Sequence, residues 1–283
     1  MSLPLESLLP AQRDAVTHRG GPLLVLGPAG TGKTRVIEAR FRWLVQSDCE
    51  PDQILILMPS AARANALRSR LESALDRGYE QLFVLTAVDL AGLIVNGTST
   101  DILPATLGAG DRLAMLVERI DELSLRSHDF GGNVNALLGG FVRRIDRLKA
   151  ELIGAEDYAA WAAGLPDSGN AALEREFAEV YRTHERMLAD ARASDAGDLV
   201  RDALRIARER EEGLPRVAHL LIDDAQELDL GPARLARAVG GPEMTVAGDP
   251  AQALRRFRGA GVARIESFKG PGVRIVTLKR SLR

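Results

Sequence analysis

The sequence predicts an α/β fold, a parallel sheet interrupted by a helical block, and three observations carry that prediction. Short apolar runs alternate with helix-like stretches at the start of the chain, the strand signal vanishes through its middle, and it returns after Pro215. Of the 283 residues 46% are hydrophobic and 27% are charged, which supports a sizeable core and argues against disorder.

Residues 22–26, 53–58 and 82–85 are near-continuous apolar runs, each followed by an amphipathic stretch. Strands buried on both faces read this way, so a parallel sheet covered by helices is expected. Between about 107 and 212, the stretches 111–125, 136–152 and 171–192 place apolar residues three and four apart, as helices do. Gly131-Gly132, Gly164-Leu165-Pro166 and Gly213-Leu214-Pro215 punctuate that block. Strand runs recur at 217–222, 244–247 and 273–278. The expected organisation is one discontinuous α/β domain over 1–104 and 213–283, split by a helical insertion over 105–212.

Bulk properties narrow the function classes. Cys49 is the single cysteine, so no internal disulfide forms and a cysteine-built metal site lacks its ligands. A net charge of −2 gives no global electrostatic case for nucleic acid, so any such contact rests on local residues. No apolar run reaches the ~20 residues of a membrane span. The start, Met1-Ser2-Leu3-Pro4-Leu5-Glu6, lacks an export signal, so a cytoplasmic location without a membrane partner is expected.

The sharpest motif is Gly27-Pro28-Ala29-Gly30-Thr31-Gly32-Lys33-Thr34, which follows a strand and opens a helix near Lys33. Glycine lets successive backbone N–H groups converge on phosphate oxygens, and the helix N-terminus adds partial positive charge. Gly27, Gly30 and Gly32 then cradle a nucleoside triphosphate, ATP above all, Lys33 reaches its β- and γ-phosphates, and the Thr34 hydroxyl ligates Mg²⁺. Leu220-Leu221-Ile222-Asp223-Asp224 supplies the other half, a buried strand ending in two carboxylates at the edge where ligands of such sheets collect. Asp223 is expected to hold the Mg²⁺ and Asp224 to orient or deprotonate the attacking water. An exposed carboxylate pair capping the next helix is the plainer alternative.

The order of these motifs resembles the UvrD/Rep/PcrA group of superfamily 1 DNA helicases, including the motor subunits of RecB-like and AdnAB-like helicase–nucleases. The resemblance implies a RecA-like P-loop NTPase domain with an all-helical insertion. It also implies the N-terminal ATP-binding part of a 3′–5′ translocase acting on single-stranded DNA in repair or recombination. Residues 9–16 resemble the adenine-reading segment of the group, with Gln12 on the base edge, and Arg35 matches the arginine that lies against the base. Asp223-Asp224-Ala225-Gln226-Glu227 matches the group's acidic box, with Gln226 as a γ-phosphate sensor. Gly248-Asp249-Pro250-Ala251-Gln252 and Arg256-Phe257-Arg258-Gly259-Ala260 match the next motif. The resemblance implies that Gln252 senses the γ-phosphate, that Phe257 takes the place of an aromatic on which a DNA base stacks, and that Arg258 contacts DNA. Ser60 and Thr86 fall in segments that face DNA in the group, and Arg283 takes the place of an arginine that contacts the γ-phosphate.

Departures qualify what the resemblance implies. Asp224 replaces a glutamate, Ser60-Ala61-Ala62-Arg63 lacks the usual lysine, and the aromatic and histidine expected after Thr86 are missing. A second reading therefore stands beside the helicase: a degenerate, nucleotide-holding DNA-binding subunit of a heterodimeric helicase–nuclease. The chain stops where a second RecA-like domain opens in the group, which implies a fragment. That C-terminal domain and a partner helicase–nuclease subunit are expected partners, and the fragment alone is expected to bind ATP weakly and hydrolyse it negligibly.

Overall fold

The computed structural model describes residues 5–75, 78–98, 105–128, 131–209, 217–241, 243–251 and 262–282. Its chain divides into two compact units, Met1–Thr98 with Ala203–Arg283, and Ser99–Asp202.

In the first unit the apolar runs form the strands β1 (Leu23–Leu26), β2 (Ile54–Leu57), β3 (Phe83–Leu85), β6 (His219–Ile222), β7 (Met244–Gly248) and β8 (Arg274–Thr277), numbered in chain order with the second unit's β4 and β5. They make one sheet in the order β3-β2-β6-β7-β1-β8. Every neighbouring pair is parallel. Side chains alternate across a strand, so Leu23, Val25, Ile54, Ile56, Leu221 and Ala247 share one core with Val36, Ile37 and Phe41 of α2 (Lys33–Gln46) and Leu67 of α3 (Ala61–Glu72). Leu24, Leu55, Leu57, Leu220, Ile222 and Val246 face the other way and are buried as well. Burial on both faces is why these strands read as continuous apolar runs. The helices α4 (Ala87–Thr98) and α10 (Leu230–Val239) pack against each other in the same unit.

Ahead of the sheet, α1 (Pro10–Val16) is tied to α2 by Arg40, which is 1% exposed. Its guanidinium donates to the carbonyls of Ala15, Val16 and His18 at 3.2, 3.0 and 2.9 Å, satisfying groups that a helix C-terminus otherwise leaves bare. Burial lowers its pKa to about 10.

The second unit contains α5 (Ala109–Glu118), α6 (Val134–Ala150), α7 (Ala155–Ala163) and α8 (Gly169–Asp190), and α9 (Ala196–Glu209) starts within it. Besides helices it holds a two-residue parallel pairing of β4 (Ala105–Thr106) with β5 (Ala193–Ser194). Its core gathers Leu116, Leu138, Phe141, Tyr158, Phe177 and Tyr181. The rings of Tyr158 and Phe177 meet edge to face at 5.3 Å between centroids, the arrangement the aromatic quadrupole favours. Beside that core Lys149 lies buried, with its ammonium 2.6 Å from Glu185, 2.8 Å from Asp195 and 2.8 Å from Asp198. Among the described residues no helix is long and apolar enough to cross a membrane.

Candidate functional site

Because all six strands run the same way, their carboxyl ends reach one edge of the sheet. The loop after β1, the carboxylates after β6 and the turn after β7 therefore converge, with β7 lying between the other two strands. A cleft of about 520 Å³ opens there, lined by Gly30, Gly32, Lys33, Thr34, Ser60, Arg63, Asp224, Gln226, Asp249 and Leu282 among others. That volume lies within the usual range of ligand sites.

One wall is the glycine loop. Gly30 and Gly32 hold φ of 82° and 83°, the left-handed region that costs a residue with a Cβ about 1–2 kcal/mol. At Gly27 the constraint is space, since a Cβ there would stand 2.6 Å from Thr31 Oγ1 and 2.9 Å from the Leu278 carbonyl. Gly32 precedes α2 and offers no side-chain cap, so the first N–H groups of that helix are left to a ligand. Lys33 Nζ folds back on the loop, donating to the carbonyls of Gly27 at 2.9 Å and Pro28 at 3.1 Å.

The carboxylates form the facing wall. Thr34 Oγ1 donates to Asp223 Oδ2 at 2.6 Å, joining the two walls directly. Asp223 is 1% exposed, and burial, reinforced by the adjacent Asp224 charge, raises its pKa to about 6. Arg63 reaches in from the first turn of α3. Its Nη1 pairs with Asp224 Oδ2, and its Nη2 lies 3.3 Å from Asp223 Oδ2 and 3.4 Å from Thr34 Oγ1. Asp224 sits at φ 49° and ψ 51°, a left-handed conformation that Asp tolerates better than most residues. Its Oδ1 accepts from Gln226 Nε2 at 3.1 Å, while Gln226 Oε1 accepts from the Asp249 backbone N–H at 2.9 Å. Gln226 thus links the ends of β6 and β7. Asp249 is 2% exposed; its Oδ1 accepts from Ala251 N–H at 2.9 Å, and its buried Oδ2 has no hydrogen-bond partner among the described residues.

The structure brings together Gly27, Gly30, Gly32, Lys33, Thr34, Asp223, Asp224 and Gln226. Gln12 lies beside them, fully buried, but its amide serves the protein: Oε1 accepts from Leu9 N–H at 3.1 Å and Nε2 donates to the Thr31 carbonyl at 2.9 Å. Arg35 is exposed and donates to Ser7 Oγ at 3.0 Å, ahead of α1. Ser60 lines the cleft at the N-terminus of α3. Thr86 forms a reciprocal cap on α4 with Asp89: Thr86 N–H donates to Asp89 Oδ2 at 3.0 Å, and Asp89 N–H donates to Thr86 Oγ1 at 3.2 Å. Gln252, Phe257, Arg258 and Arg283 lie outside the described residues.

Sequence reasoning missed three groups in this cleft. Arg63 is marked in the sequence only by its segment's absent lysine, Asp249 lies inside a matched box, and Leu282, whose N–H donates to the Gly30 carbonyl at 2.8 Å, carries no chemical signal. Only Asp249 had a local clue, its place at the carboxyl end of a predicted strand.

A parallel sheet with a glycine loop and acidic strand ends along one edge defines a RecA-like P-loop domain. The chain belongs to the UvrD/REP helicase N-terminal domain family, whose sequence profile matches residues 8–271. It is similar to the ATP-dependent DNA helicase UvrD1 of Mycobacterium tuberculosis (strain ATCC 25618 / H37Rv), with 27% identity over 306 residues, 99% of this chain and 38% of the relative. UvrD1 of Mycobacterium leprae (strain TN) is 28% identical over 288 residues, 94% of this chain and 36% of the relative. The ATP-dependent DNA helicase PcrA of Bacillus subtilis (strain 168) is 24% identical over 294 residues, 99% of this chain and 38% of the relative. The chain thus spans under two-fifths of the length of these relatives.

Proposed function

We propose that the chain is the ATP-binding N-terminal domain of a 3′–5′ DNA helicase or translocase that couples ATP hydrolysis to movement along single-stranded DNA. The observation that best supports this reading is the 2.6 Å bond between Thr34 of the glycine loop and Asp223 of the acidic strand end, the two segments a phosphate site calls for. A hydroxyl and a carboxylate are the hard oxygen ligands Mg²⁺ takes, and a nucleotide's phosphates supply the rest. Thr34 and Asp223 would hold the ion, which when bound would neutralise phosphate charge. Lys33 leaves the Gly27 and Pro28 carbonyls for the β- and γ-phosphates. Asp224 orients water, Gln226 and Gln252 respond to the γ-phosphate, and Gln12 with Arg35 frames the base. Ser60, Thr86, Phe257 and Arg258 belong to the DNA face.

On this reading residues 105–212 form the helical insertion, and Arg283 leads toward a second RecA-like domain of the same protein. Stepping along DNA requires two states of differing affinity, which two such domains supply by opening and closing. A cytoplasmic setting and a partner helicase–nuclease subunit are part of the same proposal.

The engagement of both Asp224 oxygens, by Arg63 and by Gln226, favours the second reading, a subunit that holds nucleotide without useful turnover. ATPase assays on the full-length protein separate the two. Turnover stimulated by single-stranded DNA and abolished by Lys33→Ala supports the motor; retained ATP binding without turnover overturns it in favour of the holding subunit.

A further inference from the structure

We propose that Arg63 is a built-in stand-in for the divalent cation: its guanidinium holds the metal's two protein oxygens and must leave them before a metal enters. The inference rests on the assignment of Thr34 and Asp223 as those ligands.

The geometry is specific. Arg63 Nη2 lies 3.4 Å from Thr34 Oγ1 and 3.3 Å from Asp223 Oδ2, the same two oxygens that are 2.6 Å from each other. A cation bound to that pair of oxygens has no room to share them with a guanidinium nitrogen. The second fork of the group, Nη1, pairs with Asp224. One planar cation thus balances two consecutive carboxylates, of which Asp223 is buried and Asp224 only partly exposed. An arginine fork suits this task, since it presents fixed parallel donors to carboxylate oxygens. The nearby lysine does not compete for the role, because Lys33 donates to two loop carbonyls.

A purely structural ion pair is the rival explanation, and exposure argues against it. The Arg63 side chain is 43% exposed while Asp223 is 0% and Asp224 17% exposed, so the guanidinium can swing into water and leave the carboxylates in place. What the pairing does change is the electrostatics of the empty cleft. Two unbalanced carboxylates would collect any divalent cation without nucleotide; with Arg63 between them, metal binding waits for phosphates that repay the exchange. Arg63 stands in the first turn of α3, three residues after Ser60, so movement at the start of that helix carries the guanidinium with it.

The test is Mn²⁺ binding to the full chain without nucleotide, followed by electron paramagnetic resonance, for wild type, Arg63→Ala, Arg63→Gln and Arg63→Ala with Asp223→Asn. Alanine is the best helix former and the site is on an exposed helix turn, so folding is expected to survive; Arg63→Gln keeps a polar donor but removes the charge and the guanidinium fork. The expected result is a gain of about 10-fold or more in Mn²⁺ affinity in both single variants, abolished by Asp223→Asn. Affinity unchanged in both single variants overturns the proposal, as does a gain that survives Asp223→Asn. Binding of a fluorescent ADP, measured alongside, separates the two levels: its absence in wild type counts against the nucleotide site itself, whereas nucleotide binding with unchanged Mn²⁺ affinity removes only the stand-in role.

Discussion

Replacing Gly32 by alanine isolates how tightly the glycine loop is locked to the segment ahead of it. The backbone there has φ +83°, so any Cβ costs roughly 1–2 kcal/mol before it meets a neighbour. The added carbon would then stand 2.6 Å from Gln12 Nε2 and 2.9 Å from Leu282 Cδ1, closer than real contacts allow. Gln12 has to withdraw the amide that donates to the Thr31 carbonyl at 2.9 Å, in a setting where Gln12 is fully buried. Stranding such a group costs ~1–3 kcal/mol, so Gly32→Ala is expected to lose about 2–5 kcal/mol in all. Gly20 provides the control, since its φ is +77° and nothing lies within 4 Å of its would-be Cβ. Gly20→Ala should therefore show the conformational cost alone, roughly 1–2 kcal/mol. Urea unfolding of the two variants measures the difference, and titration with a fluorescent nucleotide should show weakened binding for Gly32→Ala only. Equal losses in the two variants would refute the claim that Gln12 braces the loop.

Three further outcomes follow from the same structure. Lys149→Met leaves Glu185, Asp195 and Asp198 facing one another without their shared cation, and breaking such a buried network should cost about 3–5 kcal/mol in chemical unfolding of the helical unit. Burial pushes Glu176 up, but the Arg126 N–H, the His128 ring and N–H, and the Ser127 N–H outweigh it and hold the carboxyl at about 2. A folded pKa below the unfolded value of 4.5 gives stability that is full above that pH and is lost as pH falls toward about 2. Circular dichroism across that window should show a shallower loss for Glu176→Gln than for wild type. Asp224→Glu restores one methylene; a misplacement on the order of 1 Å can cost ~100-fold in rate, so DNA-stimulated ATP turnover of the full-length protein should rise, by about 10-fold or more.

The sheet was readable because strands such as Ile54–Leu57 are buried on both faces and must be apolar throughout. The glycine loop was readable for a different reason: backbone freedom, a lysine and a hydroxyl are needed at fixed spacing, which few other sequences satisfy. Side-chain reach across the cleft was not. Nothing local distinguishes Arg63 from Arg68 or Arg70 on the same helix, yet it alone of the three pairs with Asp223 and Asp224 among the described residues. Thr86 carries a capping signature with Asp89 in its spacing, and the structure forms that cap. The helices Ala155–Ala163 and Ala196–Glu209 fall inside the block expected to be helical, the first with a faint apolar stripe because it is short and alanine-rich. The two-residue pairing of Ala105–Thr106 with Ala193–Ser194 is too short to leave a period. Gln12 is named by its sequence position alone, and its amide bonds to Leu9 and Thr31 have no local signal.

The central claim is that the glycine loop and the acidic strand ends form one Mg²⁺–nucleotide site. Calorimetric titration of ATP into the full-length protein, with and without Mg²⁺, tests it for wild type, Lys33→Ala and Asp223→Asn. Binding that strengthens with Mg²⁺ in wild type, falls at least about 10-fold in Lys33→Ala, and loses its Mg²⁺ dependence in Asp223→Asn is the result expected of two phosphate-site halves acting together. ATP binding that is indifferent to Lys33, or a Mg²⁺ effect that persists without the Asp223 carboxylate, would contradict it.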